Sequence, residues 1–224
     1  MIPILHEDAD LLVVDKPAGL DIEALGPTLA KERPELNIFG PELRYGIAHR
    51  LDKDTSGVLL VAKNKESLEL LQAQFKNREI QKEYIALAHG IMREPGGLMD
   101  ARLNRSPADR RKQRGFLLGQ EGYETARDAV TEYEVQKRYA EGFTLLRLFP
   151  KTGRKHQIRA HLAHKGFPLA GDALYGFKGN KPPTGLERQF LHAISITIPG
   201  KTSYTAPLPK DLGAVLSLLT ESPE

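Results

Sequence analysis

Short apolar runs joined by polar turns dominate this chain. Ile2 to Leu5 and Leu11 to Val14 flank His6-Glu-Asp-Ala-Asp, a pattern that predicts a hairpin, and Lys16-Pro-Ala-Gly ends its second strand. Gly57-Val-Leu-Leu-Val-Ala-Lys is a strong buried-strand signal. From Lys65 to Lys76, Leu68, Leu71 and Phe75 recur at helical spacing, with Asn64 or Ser67 placed to cap. Glu83 to Ala88 alternates as a strand does. Ala129 to Tyr139 and Phe143 to Phe149 predict a second hairpin that turns at Glu141-Gly142. His156 to Lys165 sets Ile158 and Leu162 on one helical face, with Gly166 as the stop. Phe190 to Ile198 predicts a further strand and Leu212 to Leu219 a closing helix.

Two stretches resist this reading. Asp21 to Leu43 carries Pro27, Pro34 and Pro41 with little periodicity, so a loop or short helix is expected. Arg102 to Glu124 is polar, basic and glycine-containing, and reads as a long mobile excursion. Strands outnumber helices and most consecutive strands have hairpin-like links, which predicts an α+β fold on a mixed, mainly antiparallel sheet. No internal repeat or composition shift marks a linker, so residues 1–224 are expected to form one domain.

Composition narrows the function classes. With 40% hydrophobic and 27% charged residues the chain is an ordinary globular one. A formal net charge of +3 permits an RNA partner without demanding one. The charges are unevenly spread: basic residues crowd Arg102 to Arg114 and Lys151 to Lys165, and acidic ones gather towards the two ends. There is no cysteine, which excludes a disulfide framework, a thiolate nucleophile and a zinc-thiolate site. The start lacks a basic segment followed by an apolar run, and no apolar stretch is long enough to span a bilayer. A cytoplasmic monomer with no membrane partner is expected.

The most informative segment runs from Tyr45 to Lys63. It places His49, Arg50, Asp52, Asp54, Thr55 and Ser56 in a loop just before the buried strand, where a rigid element can aim catalytic groups. The same residues also suit a plain turn, with Asp52 or Asp54 capping amides and Gly57 supplying the bend; on local chemistry the turn carries more weight. His156, His161 and His164 fall in one predicted helix, the last two three apart, but no third ligand type lies nearby, so packing or RNA contact is favoured over metal. Tyr84 on an alternating strand reads as half-core, and Arg159 as a solvated helix charge. The cations Arg105, Arg110, Arg111, Lys112 and Arg114 sit in a stretch too polar to pack. RNA phosphates would relieve their mutual repulsion. The competing view is a solvated loop with local ion pairs to Asp100 or Asp109. There is no P-loop and no Gly-x-Gly-x-x-Gly, so no nucleotide cofactor is expected.

The string His49-Arg-Leu-Asp-Lys-Asp-Thr-Ser-Gly resembles the signature of the RluA-type RNA pseudouridine synthases, and other landmarks follow in order. Asp10-Leu-Leu-Val-Val-Asp-Lys-Pro-Ala-Gly resembles the family's opening motif, Gln81-Lys-Glu-Tyr-Ile-Ala its second, and Thr152-Gly-Arg-Lys-His-Gln-Ile-Arg its third. Gly171-Asp172 through Tyr175-Gly176, Leu191-His-Ala and Ala206-Pro-Leu-Pro match later ones, so the likeness covers nearly the whole chain. It implies a sheet in two helix-flanked halves with a central cleft. It also implies isomerisation of specific uridines in rRNA or tRNA, without metal or cofactor, on a base flipped out of a structured stem-loop. Asp52 would be the nucleophile, Arg159 its ion-pair partner, and Tyr84 the ring against the target base. Water exclusion drives a carboxylate towards its neutral form; a guanidinium neighbour opposes that and fixes its orientation. His49 and Arg50 would hold the loop and contact RNA, as would Arg154, Lys155 and His156. The opening motif begins almost at Met1, so the compact form without a leading RNA-binding domain is expected. His89 and Lys155 depart from the family pattern. Two rivals remain: a catalytically silent RNA-binding module, and a hydrolase using Asp52 and Asp54 as a carboxylate pair.

Overall fold

Strand β1 (Ile4–Glu7) pairs antiparallel with β2 (Leu11–Lys16), as the first hairpin pattern predicts. β2 continues antiparallel onto β3 (Ser56–Ala62), and every β3 residue is buried. The computed structural model describes residues 1–222. The chain divides into two compact units: Met1–Lys82 with His192–Leu208, and Glu83–Leu191 with the chain from Pro209 onward.

In the first unit, β10 (Leu191–Thr197) returns from far along the chain to lie parallel to β3, with His192 opposite Ser56 and Ala193 opposite Gly57. β11 (Ser203–Thr205) then folds back antiparallel on β10. Helix α2 (Lys65–Lys76) starts where the sequence predicts: the Asn64 carboxamide accepts the Ser67 amide at 2.9 Å, and Leu68 and Leu71 are buried. Leu12, Val13, Val14, Leu59, Leu60 and Val61 are fully buried and form the core of this half. Each such side chain is worth about 1.5–3 kcal/mol of transfer free energy.

Of the loop or short helix expected over residues 21–43, the structure shows a helix. Helix α1 spans Ile22–Glu32, with Asp21 accepting the Ala24 amide at 2.8 Å. It buries Ile22, Leu25, Gly26, Leu29 and Ala30, a regular helical stripe. Pro27 lies inside it, so one helical N–H is missing on a half-exposed face; the buried stripe outweighs that loss. Residue 26 must be glycine because a Cβ would lie 2.6 Å from the Tyr45 ring.

The second unit begins within β4 (Gln81–His89), which pairs antiparallel with β9 (Phe143–Pro150). β9 pairs with β8 (Thr131–Tyr139), and β8 with the short β5 (Gly96–Met99), both antiparallel. Helices α3 (Gln157–His164) and α4 (Lys210–Ser217) complete it, close to their predicted spans. With one parallel join in the first unit and antiparallel ladders elsewhere, the fold is α+β on a mixed, mainly antiparallel sheet.

The expected mobile excursion over residues 102–124 is corrected. β6 (Arg102–Arg105) and β7 (Gln113–Phe116) form a two-stranded hairpin, registered from Arg102 opposite Phe116 to Arg105 opposite Gln113. Two apolar side chains anchor it: Leu103 and Phe116 are buried, and Leu103 joins Ala129, Ala160 and Tyr175 in a small cluster.

Candidate active site

Asp52 lies half-buried in the loop that feeds β3, and that loop is fastened along its length. Upstream, the Ala48 amide donates to the Leu60 carbonyl at 3.0 Å, and His49 Nε2 accepts the Leu60 amide at 3.1 Å. In the middle, the Asp52 carbonyl accepts the Thr55 amide at 3.1 Å, closing a turn. The Lys53 carbonyl is taken from below by Lys16 Nζ at 2.9 Å and by the Gly19 amide at 3.0 Å. Lys16 is 0% exposed and its ammonium also donates to the Pro17 and Leu20 carbonyls, at 2.8 and 2.7 Å. A lysine closing a buried apolar strand is the sequence signal for this clamp. Downstream, Gly57 has φ +118° and a Cβ there would meet the Ala193 carbonyl oxygen at 2.1 Å, so glycine alone permits the β3–β10 join.

His49 is half-buried, and its ring packs on Phe75 with centroids 4.8 Å apart. Burial, reinforced by the positive charge of Lys82, pushes its pKa down to about 3. The ring is therefore neutral, and because Nε2 accepts from Leu60 its proton sits on Nδ1. Arg50, next to it, is exposed. Ser56 and His192 are buried and paired, Oγ to Nδ1 at 3.0 Å, while His192 Nε2 lies 3.3 Å from the Ala206 carbonyl. A carbonyl only accepts, so Nε2 carries the proton and Nδ1 receives the Ser56 hydroxyl. This pair ties β3 to the segment after β11.

Tyr84 and Arg159 belong to the second unit. Tyr84 is buried in β4, opposite Leu148 of β9. Arg159 on α3 is 7% exposed, and its guanidinium grips Asp172 in a bidentate pair, Nε–Oδ2 2.8 Å and Nη2–Oδ1 2.9 Å. The Asp172 Oδ1 also accepts the Leu174 and Tyr175 amides, at 2.9 and 3.0 Å. Asp172 falls in a recognised landmark, but only the fold reveals it as the partner of Arg159.

The start of α3 is pinned by Gln157, which is buried with every polar atom used. Its Oε1 accepts the Thr152 hydroxyl and the Arg154 amide, at 2.7 and 2.9 Å. Its Nε2 donates to the Val130 carbonyl and Thr131 Oγ1, both at 3.0 Å. Thr131 passes its own proton to His161 Nδ1 at 2.9 Å, and His161 Nε2 donates to the Ala101 carbonyl at 3.0 Å. Both nitrogens of His161 are thus committed to packing, and burial lowers its pKa. Among the described residues no group of three or more His, Asp or Glu could hold a metal ion. No helix among them is long and apolar enough to cross a membrane.

The cations expected at RNA differ in freedom. Arg105, Arg110 and Arg114 are exposed on the hairpin, and Arg114 lies 5.1 Å from the Phe116 ring centre. Arg111 is also exposed but is neutralised by Asp109 at 2.8 Å, one of the local ion pairs anticipated. Lys112 is half-buried beside Tyr175. Arg154 is half-buried and donates to the Asp128 carbonyl at 3.0 Å, whereas Lys155 is exposed. His156 sits at the N-terminus of α3 in the left-handed region, φ +54°. His89 bonds the Lys181 carbonyl at 3.2 Å and packs edge-on against Phe143.

The family model described as RNA pseudouridylate synthase matches residues 10–164, the stretch holding Lys16, Asp52, Tyr84 and Arg159. The chain belongs to that family. It is 39% identical over 194 residues to an uncharacterized RNA pseudouridine synthase of Aquifex aeolicus, an overlap of 83% of this chain and 59% of the relative. It is 36% identical to a ribosomal large subunit pseudouridine synthase D of Xanthomonas campestris, over 97% of this chain and 69% of that one. The chain thus spans less than two thirds of the Aquifex synthase. Among solved structures, the human RNA pseudouridylate synthase domain containing 1 superposes with a TM-score of 0.78 at 27% identity, covering 99% of this chain and 89% of that one.

Proposed function

We propose that this protein is an RNA pseudouridine synthase in which Asp52 is the catalytic carboxylate. The observation that carries the reading is the loop itself: Asp52 sits half-exposed on a segment whose backbone is clamped by a buried ammonium, a neutral imidazole and a glycine-only strand join. Such fixation is what a nucleophile needs to meet one atom repeatedly. The reaction adds and removes nothing. The glycosidic bond breaks, the uracil turns over, and a carbon–carbon bond forms to the same ribose. In our reading Asp52 acts at the sugar carbon, by proton abstraction or covalent attack, on a uridine flipped out of its stack. The family resemblance assigns Arg159 as the guanidinium partner of the catalytic carboxylate, and within its own unit Asp172 fixes it through two of its five guanidinium donors. Tyr84 lies against the base. The hairpin cations, with Arg50, Arg154, Lys155 and His156, bind the surrounding phosphates.

The name of the Xanthomonas relative makes large-subunit rRNA the first substrate to try, with tRNA second. The protein is taken to act as a cytoplasmic monomer, which size-exclusion chromatography with light scattering checks for the monomer part. A hydrolytic role for Ser56 and His192 is disfavoured because both are buried and His192 Nε2 is spent on a carbonyl. The test uses unmodified RNA tritiated at the fifth carbon of uracil. Wild type should release tritium to solvent, and Asp52→Asn should release at least about 10³-fold less. Free uracil among the products would instead mark a hydrolase. Release by neither protein would leave the silent RNA-binding module. A covalent adduct trapped on the base would move Asp52 away from the sugar.

A further inference from the structure

Tyr175 has been given no role, yet it meets three separate pieces of the second unit. Its ring is 5% exposed, in the cluster that also holds Leu103 of β6 and Ala160 of α3. Its hydroxyl accepts the backbone amide of Gln113 at 2.6 Å, at the point where the basic turn enters β7. The same oxygen shares a hydrogen bond with His156 Nδ1 at 3.2 Å, and the two rings meet edge to face at 84°. The Arg159 guanidinium lies 5.1 Å from the Tyr175 ring centre and the Lys112 ammonium 5.8 Å from it, distances at which the ring's electron-rich face attracts cations.

The neighbours give these contacts a direction. The Tyr175 amide is bound by Asp172, the carboxylate that holds Arg159. One short segment, Asp172 to Tyr175, therefore grips the arginine at one end and the hairpin at the other. His156 holds a left-handed conformation unfavourable for a non-glycine residue, without a side-chain cap. Its ring contact with Tyr175 helps keep it there, three residues before Arg159. A tyrosine needed only for volume would require neither the short bond to Gln113 nor the approach of two cations.

Building on the isomerase reading, we propose that Tyr175 is a positioning residue that latches the basic hairpin to α3, so that RNA held by the hairpin arrives in register with Arg159. The hydroxyl sets the hairpin's place, and the ring draws both Lys112 and Arg159 to it.

Tyr175→Phe keeps the ring and removes the latch; Tyr175→Leu removes both. The readouts are steady-state tritium release from folded RNA, tryptic cleavage within Arg105–Arg114, and the thermal midpoint. For Tyr175→Phe the expected result is a KM raised about tenfold with kcat within about twofold, the scale of one lost hydrogen bond. Cleavage of the hairpin should quicken several-fold while the midpoint stays near wild type. Adding Arg110→Ala and Lys112→Ala to Tyr175→Phe should cost less than the same pair costs in wild type, since an unlatched hairpin contributes less. Tyr175→Leu should lower kcat as well. An active wild type beside a Tyr175→Phe protein with unchanged KM and unchanged cleavage would overturn the latch alone. A loss confined to kcat would overturn it too, by placing the whole effect at Arg159. An inactive wild type would instead sink the isomerase reading on which the latch rests.

Discussion

The Asp52 loop and the basic hairpin are held by contacts of opposite kinds. Beneath Asp52 the fasteners are buried or half-buried and directed at backbone: the Lys16 ammonium on three carbonyls, the neutral His49 ring on the Leu60 amide, and a glycine against Ala193. On the hairpin the turn closes through the exposed Asp109–Arg111 pair, and Arg105, Arg110 and Arg114 project into water. Buried contacts to backbone feel little salt, whereas exposed charges are screened within about 8 Å at physiological ionic strength. On the proposed function, the difference is a division of tasks. A reacting carboxylate must be reproducible, while a surface that grips phosphates must accommodate them.

The sharpest way to break that contrast is Lys16→Met, which leaves buried carbonyls without their donor. It should cost about 3–5 kcal/mol in urea unfolding, equally at low and high salt. A loss below about 1 kcal/mol would show that the loop is not held this way. Next comes Asp172→Asn, which trades the buried ion pair with Arg159 for a neutral contact. About 2–3 kcal/mol of stability should go, together with most tritium release. Full activity would mean that Arg159 needs no anchor.

On the other side of the comparison, Arg110→Ala with Lys112→Ala should weaken RNA binding about tenfold. The slope of log affinity against log salt should fall by about 1.5, with unfolding changed by less than about 0.5 kcal/mol. An unaltered slope would remove phosphate from the hairpin's role. The last effect concerns pH. His49 titrates near 3 when folded and near 6.5 when unfolded, so over that window the unfolded chain binds the extra proton. Its contribution therefore diminishes as pH falls from 6.5 towards 3 and is constant above. His49→Gln should lose stability by the same amount throughout the neutral range and close on wild type as pH falls to 4; a pH-independent gap would show that the ring is not kept neutral.

Much of this was legible in the sequence. Periodicity located β3, α2, the β8–β9 hairpin and α3, because their apolar faces are regular and their turns carry glycine or asparagine. Helix α1 was obscured by Pro27, although Ile22, Leu25 and Leu29 already stood at helical spacing. The β6–β7 hairpin was obscured for another reason. Only two of its strand side chains, Leu103 and Phe116, are buried, and the rest of its sequence obeys the demands of charge rather than of a sheet. At the site, the resemblance singled out Asp52, Tyr84 and Arg159. Lys16, Asp172 and Tyr175 fall within matched motifs, but their anchoring roles stayed silent, since a buried charge or hydroxyl is defined by partners that only tertiary contact supplies.

The pairing of Ser56 with His192 joins residues 136 positions apart. During synthesis the Asp52 segment emerges from the ribosome long before the strand that completes the first unit. A chain truncated between β3 and β10 would carry the whole signature around Asp52 yet lack the parallel partner of β3. Closing so long a loop is entropically slow, so refolding should regain the Asp52 loop late, after the local hairpins have formed. The part of the molecule proposed to do the chemistry is then begun first and completed only after most of the second unit has been made.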